Sequence, residues 1–362
     1  MRISIITVCL NSEKTIEQTI QSVVKQKDDE IEYIIVDGNS TDRTLEIIDK
    51  YKKDISVIVS EPDNGIYDAM NKGISLASGE IIGIINSDDW YEPGVFKIVK
   101  ACFQKSNVEV VYGNMNLIYE NGKLETLIPS DIEKIRYEME VPHSTVFVRK
   151  EIYKKYGVFQ LDYKIAADYE LILRLYTKRV KFSYENKIFA NFRLGGISNQ
   201  QGEECERETL LIAEKYLPYA PLNKRKYLRN IFLHRYSALC FSKIVKDFSH
   251  LFIDILVKKL GVGFNDDIII FGAGVWGIEV CKLLLKNNFQ ILFFVDNDKQ
   301  KWDKIENSLK ILSPEILKSF QGVLLLVIKE HSNDILNQIE KMKNPNLYPI
   351  AWEEIVAELQ IY

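Results

Sequence analysis

Short apolar runs alternate with amphipathic segments in the first part of the chain, and this alternation constrains the fold more than any other feature. The runs are residues 2–9, 31–36, 55–60 and 81–85. Continuous β-branched runs of this length are typical of strands that are buried on both faces of a parallel sheet. Repeated strand–helix–strand units favour right-handed crossovers. The sequence therefore predicts an α/β fold with a mostly parallel sheet.

Acidic residues follow three of these runs. Asp37 comes after the second run, Asp63 after the third, and Asp88 and Asp89 after the fourth, within the segment Asn86–Trp90. The carboxyl ends of parallel strands meet at one edge of a sheet, where ligands collect. Two adjacent carboxylates at such an edge could hold a divalent cation that carries a phosphate. The alternative for the Asp-Asp pair is an ordinary turn and helix cap.

Four segments are similar, in the same order, to successive motifs of the family 2 glycosyltransferases. They are residues 7–11, 36–42, 60–73 and 86–89, and a weaker similarity continues to about Ser198. The resemblance implies a nucleotide-sugar-binding fold of the glycosyltransferase A type, inversion at the anomeric carbon, and Mn²⁺ or Mg²⁺ on the diphosphate. It also implies a nucleoside diphosphate sugar as donor, with UDP as the expected nucleotide. The expected acceptor is a glycan or a lipid-linked sugar in surface polysaccharide biosynthesis.

The resemblance also suggests roles for residues at the strand ends. Those expected to contact the nucleotide sugar are Thr7, Asn11, Asp37, Asp63, Gly65 and Asp88. Asp37 holds the position of the family's nucleobase-binding Asp, and a helix N-cap is a compatible second role. Gly65 is expected to adopt a positive φ. Asp89, in the position of the last Asp of the family's acidic motif, is the candidate metal ligand.

A sugar transferase also needs a general base for the acceptor hydroxyl. Residues 165–176 have helical periodicity, which places Asp168 on the face that carries Leu171, Ile172 and Leu175. Position alone leaves open whether Asp168 is an N-cap or a functional group in a cleft. The segment resembles the family's Ala-Asp-Tyr-Glu motif, whose Asp is the expected base. Glu170 is the reserve candidate.

Two further segments resemble parts of the family's acceptor side. His143 lies in a segment that precedes the base helix in the family and commonly lines the acceptor cleft; a structural His is the alternative. Gly195 and Gly196 lie in a segment that resembles the loop closing over the diphosphate. A mobile lid would exclude water from the donor, whereas an ordinary glycine turn is the other interpretation.

Length and composition exclude several classes of protein. The 362 residues are enough for two domains, and 46% hydrophobic with 27% charged residues is typical of a folded soluble protein. A net charge of −4 gives no overall field that would attract nucleic acid. The five cysteines have no paired spacing, which indicates a reducing compartment. We expect no signal peptide and no transmembrane segment, and hence a cytoplasmic protein.

The chain becomes basic and aromatic after the region of resemblance. Residues 224–259 contain nine Lys or Arg against two Asp, interleaved with aromatic residues. This pattern is typical of an interfacial helix that would hold the protein at the inner face of the plasma membrane. A solvated basic face packed on the catalytic domain, or a homodimer interface, is the alternative.

The last part of the chain repeats the strand–helix pattern after a predicted linker at residues 261–265. Gly272, Gly274 and Gly277 have the spacing of a dinucleotide-binding loop, and Asp296 follows at the end of the next apolar run. The segment resembles small Rossmann-like domains attached to sugar-modifying enzymes. Only two further strands are plausible, so half of a dinucleotide-binding fold is expected.

These observations predict three regions and leave more than one function open. The regions are a catalytic domain at 1–220, a basic helical region and linker at 221–263, and an accessory domain at 264–362. The favoured function is a metal-dependent inverting glycosyltransferase. The alternatives are a nucleotide-sugar oxidoreductase or nucleotide-sensing protein that uses the C-terminal glycine loop, and a non-catalytic binding protein.

Overall fold

The computed structural model describes residues 1–105, 107–195, 202–225, 227–228, 231, 235, 249–328 and 332–358. The chain divides into two compact units, Met1–Leu228 and Arg229–Tyr362. The first unit ends eight residues later than the predicted catalytic domain. The second unit contains the predicted accessory domain and most of the described part of the predicted helical region, whose residues 221–225 and 227–228 belong to the first unit.

The first unit is built on one mixed sheet with helices. Its strands are β1 (Ile3–Cys9), β2 (Ile31–Asp37), β3 (Val57–Ser60), β4 (Ile81–Asn86), β5 (Trp90–Tyr91), β6 (Val110–Ile118), β7 (Leu124–Leu127), β8 (Phe147–Arg149) and β9 (Phe182–Arg193). Its helices are α1 (Ile16–Val24), α2 (Thr44–Lys50), α3 (Ile66–Leu76), α4 (Val95–Gln104), α5 (Lys150–Tyr156), α6 (Ala167–Thr177) and α7 (Gly202–Tyr216).

The strand order is β3-β2-β1-β4-β8-β6-β9-β5, and β7 pairs with β6. The strands β1 to β4 pair only in parallel with one another, as the sequence predicts. Antiparallel pairs begin beyond them, because β8 pairs antiparallel with both β4 and β6. The predicted α/β class is therefore confirmed.

The runs of β1, β2 and β4 form strands whose side chains are buried in the sheet, whereas the edge strand β3 is only partly buried. All seven residues of β1 and of β2 are buried. One face packs against Ile16, Ile20 and Val23 of α1, which recur at helical spacing. This burial holds the carboxyl ends of β1, β2, β3 and β4 next to one another.

The second unit contains a smaller sheet. Its strands are β10 (Ile268–Phe271), β11 (Ile291–Val295), β12 (Ile305–Glu306), β13 (Leu309–Leu312), β14 (Gly322–Leu326) and β15 (Leu347–Ala351). Its helices are α8 (Ser249–Asp254), α9 (Val275–Lys286), α10 (Ser332–Met342) and α11 (Trp352–Glu358). The order is β12-β13-β11-β10-β14-β15, with only β12 and β13 antiparallel among the described pairs.

The sequence predicts β14 and β15 but not β12 and β13. The two missed strands are two and four residues long, and of their residues only Ile311 is buried. An edge hairpin with one buried side chain has too weak an apolar pattern to be recognised. The expectation of only two further strands is therefore wrong.

The predicted linker is also wrong for the residues that the structure describes. Phe252 and Leu256 are fully buried in the core of the second unit, and Val262 is buried with them. Gly261 has φ +69°, and the Val262 N–H donates to Leu256 O over 2.8 Å. Residues 261–265 form no helix or strand and join the helical segment that ends at Lys259 to β10 within one unit, with Val262 buried and Phe264 exposed, so they do not separate two domains. The residues 226, 229–230, 232–234 and 236–248 lie outside the described residues.

Within the described part of the chain, no helix combines the length and the apolar character needed to cross a bilayer.

Candidate active site

Asp37 lies at the end of β2 and organises the turn that follows. Its side chain is fully buried. Its Oδ2 accepts hydrogen bonds from Ser40 N at 3.0 Å and from Ser60 Oγ at 2.7 Å, while the Cys9 thiol contacts Oδ1 at 3.5 Å. These bonds hold the turn after β2, but Asp37 does not cap α2, because that helix begins at Thr44 with Arg43 as its N-cap; the predicted N-cap role is wrong. Its contact with a nucleobase stays a prediction.

Thr7 and Asn11 differ in where they lie. Thr7 is fully buried within β1, and its Oγ1 lies 3.1 Å from Tyr33 OH, so the structure does not bring its side chain to the open edge. The strand alternation that points Thr7 into the core explains this difference from the expectation. Asn11 is exposed at the edge with φ +49°, and its Oδ1 accepts from Thr41 N at 2.9 Å.

Asp63 and Gly65 form the turn between β3 and α3. Gly65 has φ +107°, which confirms the predicted positive φ. Its N–H donates to Asp63 Oδ1 over 2.9 Å. Gly38, in the turn after β2, lies so close to Asp63 that a Cβ at this position would be 2.6 Å from Asp63 Oδ2. Gly38 therefore lets the two turns meet, a role that the sequence alone does not indicate.

The two carboxylates after β4 have different environments. Asp89 is fully buried, and its oxygens accept hydrogen bonds from Ser144 Oγ at 2.8 Å and Arg193 N at 3.2 Å. Burial, followed by the charge of Asp88, raises the pKa of Asp89 well above its usual value. Asp88 is only partly buried, and burial raises its pKa while Arg193 opposes the shift. The full burial of Asp89 favours Asp88 as the carboxylate that an incoming ion reaches, and the predicted metal role of Asp89 stays a prediction.

Oxygen donors that suit a hard cation remain at the end of β4. Asn86 Oδ1 is buried without a hydrogen-bond partner, and the carboxylate of Asp88 lies two residues further along. Among the described residues, no three His, Cys, Asp or Glu side chains converge as a complete metal cage. Mg²⁺ bound to a substrate diphosphate needs only one or two carboxylates from the protein. Asp88 and Asn86 therefore fit the ion that the family resemblance implies.

A cavity of about 410 Å³ connects the end of β4 with the head of α6. Its polar lining includes Asn86, His143, Ser144, Lys164, Asp168 and Thr209, and its apolar lining includes Met70, Met115, Leu127 and Phe192. The mixture of an apolar wall and a few convergent polar groups is typical of a small-molecule site.

Asp168 lies in the first turn of α6 and faces this cavity. Its Oδ1 accepts hydrogen bonds from Tyr67 OH at 3.2 Å and from Tyr169 N at 2.8 Å. No described residue donates to Oδ2. Tyr67 also donates to Ile165 O, so it joins the base helix to α3. One carboxylate oxygen is therefore held in place, and the other is left for a proton donor.

His143 lies in the same cavity. Its Nε2 is buried without a hydrogen-bond partner. Its ring packs edge-on against Phe159, with the two ring centroids 5.8 Å apart. Burial lowers the pKa of His143, although Asp168 opposes the shift. The imidazole is therefore held neutral beside Asp168, where the sequence predicts the acceptor.

Glu170 has a structural environment instead of a place in the cavity. It is fully buried and forms an ion pair with Arg174 at 3.0 Å, and Tyr216 OH donates to it. A paired carboxylate in the core cannot reach an acceptor, so Glu170 does not fit the reserve base role. Gly195 follows β9 in a turn with φ +118°, while Gly196 lies outside the described residues.

The glycine loop of the second unit joins β10 to α9. A Cβ at Gly277 would lie 1.8 Å from Gly272 O, whereas nothing lies within 4 Å of one at Gly274. Asp296 Oδ2 accepts from Ala273 N at 2.9 Å and Lys301 Nζ at 3.0 Å. Burial works to raise the pKa of Asp296, but the hydrogen bond from Asp298 N, together with those from Lys301 and Ala273, outweighs it and lowers the pKa. Asp296 thus closes the loop itself, and its contact with a ribose stays a prediction.

Comparison with known proteins shows to which family this chain belongs. The model of glycosyl transferase family 2 matches residues 4–166. An uncharacterized glycosyltransferase of Mycobacterium tuberculosis is 33% identical over 177 residues, which cover 48% of this chain and 68% of the relative. The chain belongs to glycosyl transferase family 2. The enzyme is also 25% identical over 233 residues to a PGL/p-HBAD biosynthesis glycosyltransferase of Mycobacterium bovis, across 62% of this chain and 86% of that protein.

Solved structures show the same fold for this glycosyltransferase. Residues 1–349 of TarS from S. aureus, in complex with UDP-GlcNAc, match with a TM-score of 0.54 and 22% identity. The match covers 69% of this chain and 76% of the TarS chain. The UDP complex of the same protein matches with a TM-score of 0.51. In the second unit, the family described as C2185-like, N-terminal, matches residues 264–347.

Several residues of the glycosyltransferase site are not evident from the sequence. Tyr67 and Asn86 lie inside the recognised motifs. The part of Tyr67 in the cavity depends on its hydrogen bond to α6, and that of Asn86 depends on a buried side-chain oxygen without a hydrogen-bond partner. Ser144 follows His143 directly, and its bond to Asp89 joins segments 55 residues apart. The sequence does not indicate which hydrogen-bond partner a hydroxyl or an amide in a motif will have in the folded chain.

Proposed function

We propose that this glycosyltransferase transfers a sugar, with inversion, from a nucleoside diphosphate sugar to a glycan or lipid-linked acceptor, with Mn²⁺ or Mg²⁺ as its ion. The cavity shared by Asn86 and Asp168 is the observation that carries the proposal. It joins the strand end expected at the diphosphate with the helix expected to carry the base. Acceptor and donor would therefore meet within one small space.

Asp168 is the proposed general base. Its Oδ2 would receive the proton of the acceptor hydroxyl as that oxygen forms a bond to the anomeric carbon. The bond between the anomeric carbon and the diphosphate oxygen breaks, and the nucleoside diphosphate leaves with the electron pair. Tyr67 and the Tyr169 N–H hold Oδ1, which orients the carboxylate for this proton transfer. Attack opposite to the leaving group inverts the anomeric centre.

Asp88 and Asn86 are the residues that would hold the ion. A divalent cation supplies charge stabilisation to the leaving diphosphate when it is bound. Asp89 joins this strand end to two other segments, because it accepts hydrogen bonds from Ser144 and from the Arg193 backbone. Asp63, Gly65 and Asn11 border the same edge and are the proposed nucleotide contacts.

The donor and acceptor classes are supported by relatives. TarS structures contain UDP and UDP-GlcNAc, which favours UDP as the nucleotide here. Relatives named as glycosyltransferases of PGL/p-HBAD biosynthesis support transfer to a biosynthetic acceptor, and a glycan or lipid-linked sugar is the class proposed here. His143 and the apolar wall of the cavity are the proposed acceptor contacts.

Thermal stability with added nucleotides tests the proposal. A ligand that binds only the folded protein raises its stability by RT ln(1 + [L]/Kd). We expect UDP with Mn²⁺ to raise the melting temperature more than UDP with a chelator, and AMP to have no effect. An unchanged melting temperature with UDP, GDP and their sugars, each with Mn²⁺, would contradict the proposal.

A further inference from the structure

A buried carboxylate from α7 holds the backbone directly before the base helix. Glu208 is 4% exposed. Its Oε1 accepts from Lys164 N at 2.8 Å, and its Oε2 accepts from both Ile165 N and Ala166 N at 2.9 Å. Three consecutive peptide N–H groups therefore converge on one side chain, and α6 begins at the next residue.

These bonds are of the strong, charge-assisted kind. No Lys or Arg among the described residues forms an ion pair with Glu208, so the peptide N–H groups are the donors that stabilise its charge. A buried carboxylate without such donors would be costly. Loss of the charge would leave N–H groups buried and incompletely satisfied. The loop and Glu208 consequently depend on each other.

The same loop is held from its other side by the residue that contacts the base. The single hydroxyl proton of Tyr67 is shared between two acceptors, Ile165 O and Asp168 Oδ1. The Ile165 peptide thus has its N–H on Glu208 and its C=O on Tyr67. A shift of this peptide would move Tyr67 and the first turn of α6 together. Asp168 contacts Tyr67 and lies in that turn, so it would move with them.

Other contacts between α7 and the base region are already sufficient for docking. Tyr216 OH donates to Glu170, and Lys215 Nζ lies 3.2 Å from Gln160 Oε1 and from Tyr163 OH. Leu210, Ile212 and Ala213 of the same helix are buried. Glu208 is thus one of several contacts that attach α7, and it is the one that reaches the backbone directly before α6.

We propose that Glu208 is a positioning residue for the general base, because it fixes the loop that sets the place of Asp168. The inference rests on the proposed function of Asp168. It extends that function to α7, which lies outside residues 4–166 where the family model matches. A misplacement of reacting groups by about 1 Å can cost roughly 100-fold in rate.

The test compares Glu208→Gln with Glu208→Asp, Asp168→Asn and the double variant Asp168→Asn with Glu208→Gln. Glu214→Gln is the matched control, since Glu214 is exposed on the same helix. The probes are UDP affinity by calorimetry with Mn²⁺, and UDP release from a panel of UDP-sugars with water as acceptor. Amide hydrogen exchange of a peptide that contains residues 162–170 reports the loop directly.

We expect Glu208→Gln to lower kcat by about 10- to 100-fold while the Kd for UDP stays within about twofold. Exchange at residues 164–166 should become faster. Glu208→Asp, which keeps the charge, should recover part of kcat, and Glu214→Gln should match the wild type. In the Asp168→Asn background the Glu208→Gln change should cost nothing more, because a positioning residue acts only through the base.

Two results would overturn the inference. One is unchanged kcat and unchanged exchange in Glu208→Gln; the other is a loss that adds in full to that of Asp168→Asn, which indicates a general structural effect. If Asp168→Asn itself keeps wild-type turnover, Asp168 is not the general base and Glu208 has no base to position. If Asp168→Asn is inactive but Glu208→Gln is not, only the role of Glu208 fails.

Discussion

At the scale of single residues, the carboxylates of this enzyme divide by whether their oxygens are already occupied. Asp37, Asp89 and Glu208 are buried and accept hydrogen bonds that hold loops. Asp168 keeps one oxygen that no described residue donates to, and Asp88 is partly exposed. A carboxylate oxygen without a protein donor can take a proton or an ion with no change to the surrounding loops, whereas an oxygen that already accepts a hydrogen bond has fewer lone pairs left to offer.

Asp168→Asn should abolish transfer and leave donor affinity nearly unchanged. The base acts on the acceptor hydroxyl, so its loss should lower kcat by roughly 100-fold or more. Turnover and UDP calorimetry measured on the same preparation separate the two effects. Near wild-type turnover would remove Asp168 from the mechanism.

Asp88→Ala and Asp89→Ala should have opposite consequences. Asp88→Ala should remove the gain in UDP affinity that Mn²⁺ provides, with little change in melting temperature. Asp89→Ala leaves Ser144 Oγ and Arg193 N without their acceptor, which should cost about 2 kcal/mol of unfolding free energy. Calorimetry with and without chelator, together with denaturant unfolding, distinguishes them. Metal-dependent affinity lost only in Asp89→Ala would restore the assignment that the sequence predicts.

At the scale of elements, the turn between β10 and α9 contains a matched pair of glycines. Gly277→Ala places a methyl group 1.8 Å from Gly272 O and should cost about 2 kcal/mol or more through overpacking. Gly274→Ala enters open space, and its φ of −97° is allowed for alanine. Thermal unfolding of both variants is the measurement. Equal stability of the two would contradict the packing role of Gly277.

At the scale of the whole molecule, the first unit should bind nucleotide without the second. Residues 1–228 contain the cavity and the core around the parallel strands. A chain ending at residue 260 would instead expose Phe252 and Leu256, whose burial contributes about 1.5–3 kcal/mol each. We expect residues 1–228 to bind UDP and residues 1–260 to aggregate, as seen by calorimetry and size-exclusion chromatography. Turnover that returns only with the missing unit and NAD would favour an oxidoreductase.

Binding of the enzyme to anionic membranes should depend on salt. Each Lys or Arg near such a surface contributes about 1 kcal/mol, and residues 224–259 contain nine. Of the aromatic rings that the structure describes in this range, Phe252 is buried in the second unit and only Tyr227 is exposed, so attraction by charge should dominate over insertion. Co-sedimentation with anionic liposomes at low salt, lost at high salt and absent with neutral liposomes, is expected. No binding at low salt would favour a packing or dimer surface.

The sequence by itself determined the α/β class, the four parallel strands and the segments that carry the site. These features depend on local periodicity and on motifs within short stretches, which are present before the chain folds. The prediction of a positive φ at Gly65 was confirmed for the same reason, because the need for glycine is local. Asp168 was likewise found from its own segment, although its role as the base stays a prediction.

Only the tertiary structure decided which side chains have free atoms. The burial of Thr7, the loop bonds of Asp89 and the hydrogen bond that Glu170 accepts from Tyr216 each depend on partners far along the chain. The same holds for Glu208, which contacts residues 42 to 44 positions earlier. A motif specifies which residue types are present, but desolvation and hydrogen bonding depend on every segment that packs around them. Function at this site therefore follows from contacts that no single stretch of sequence encodes.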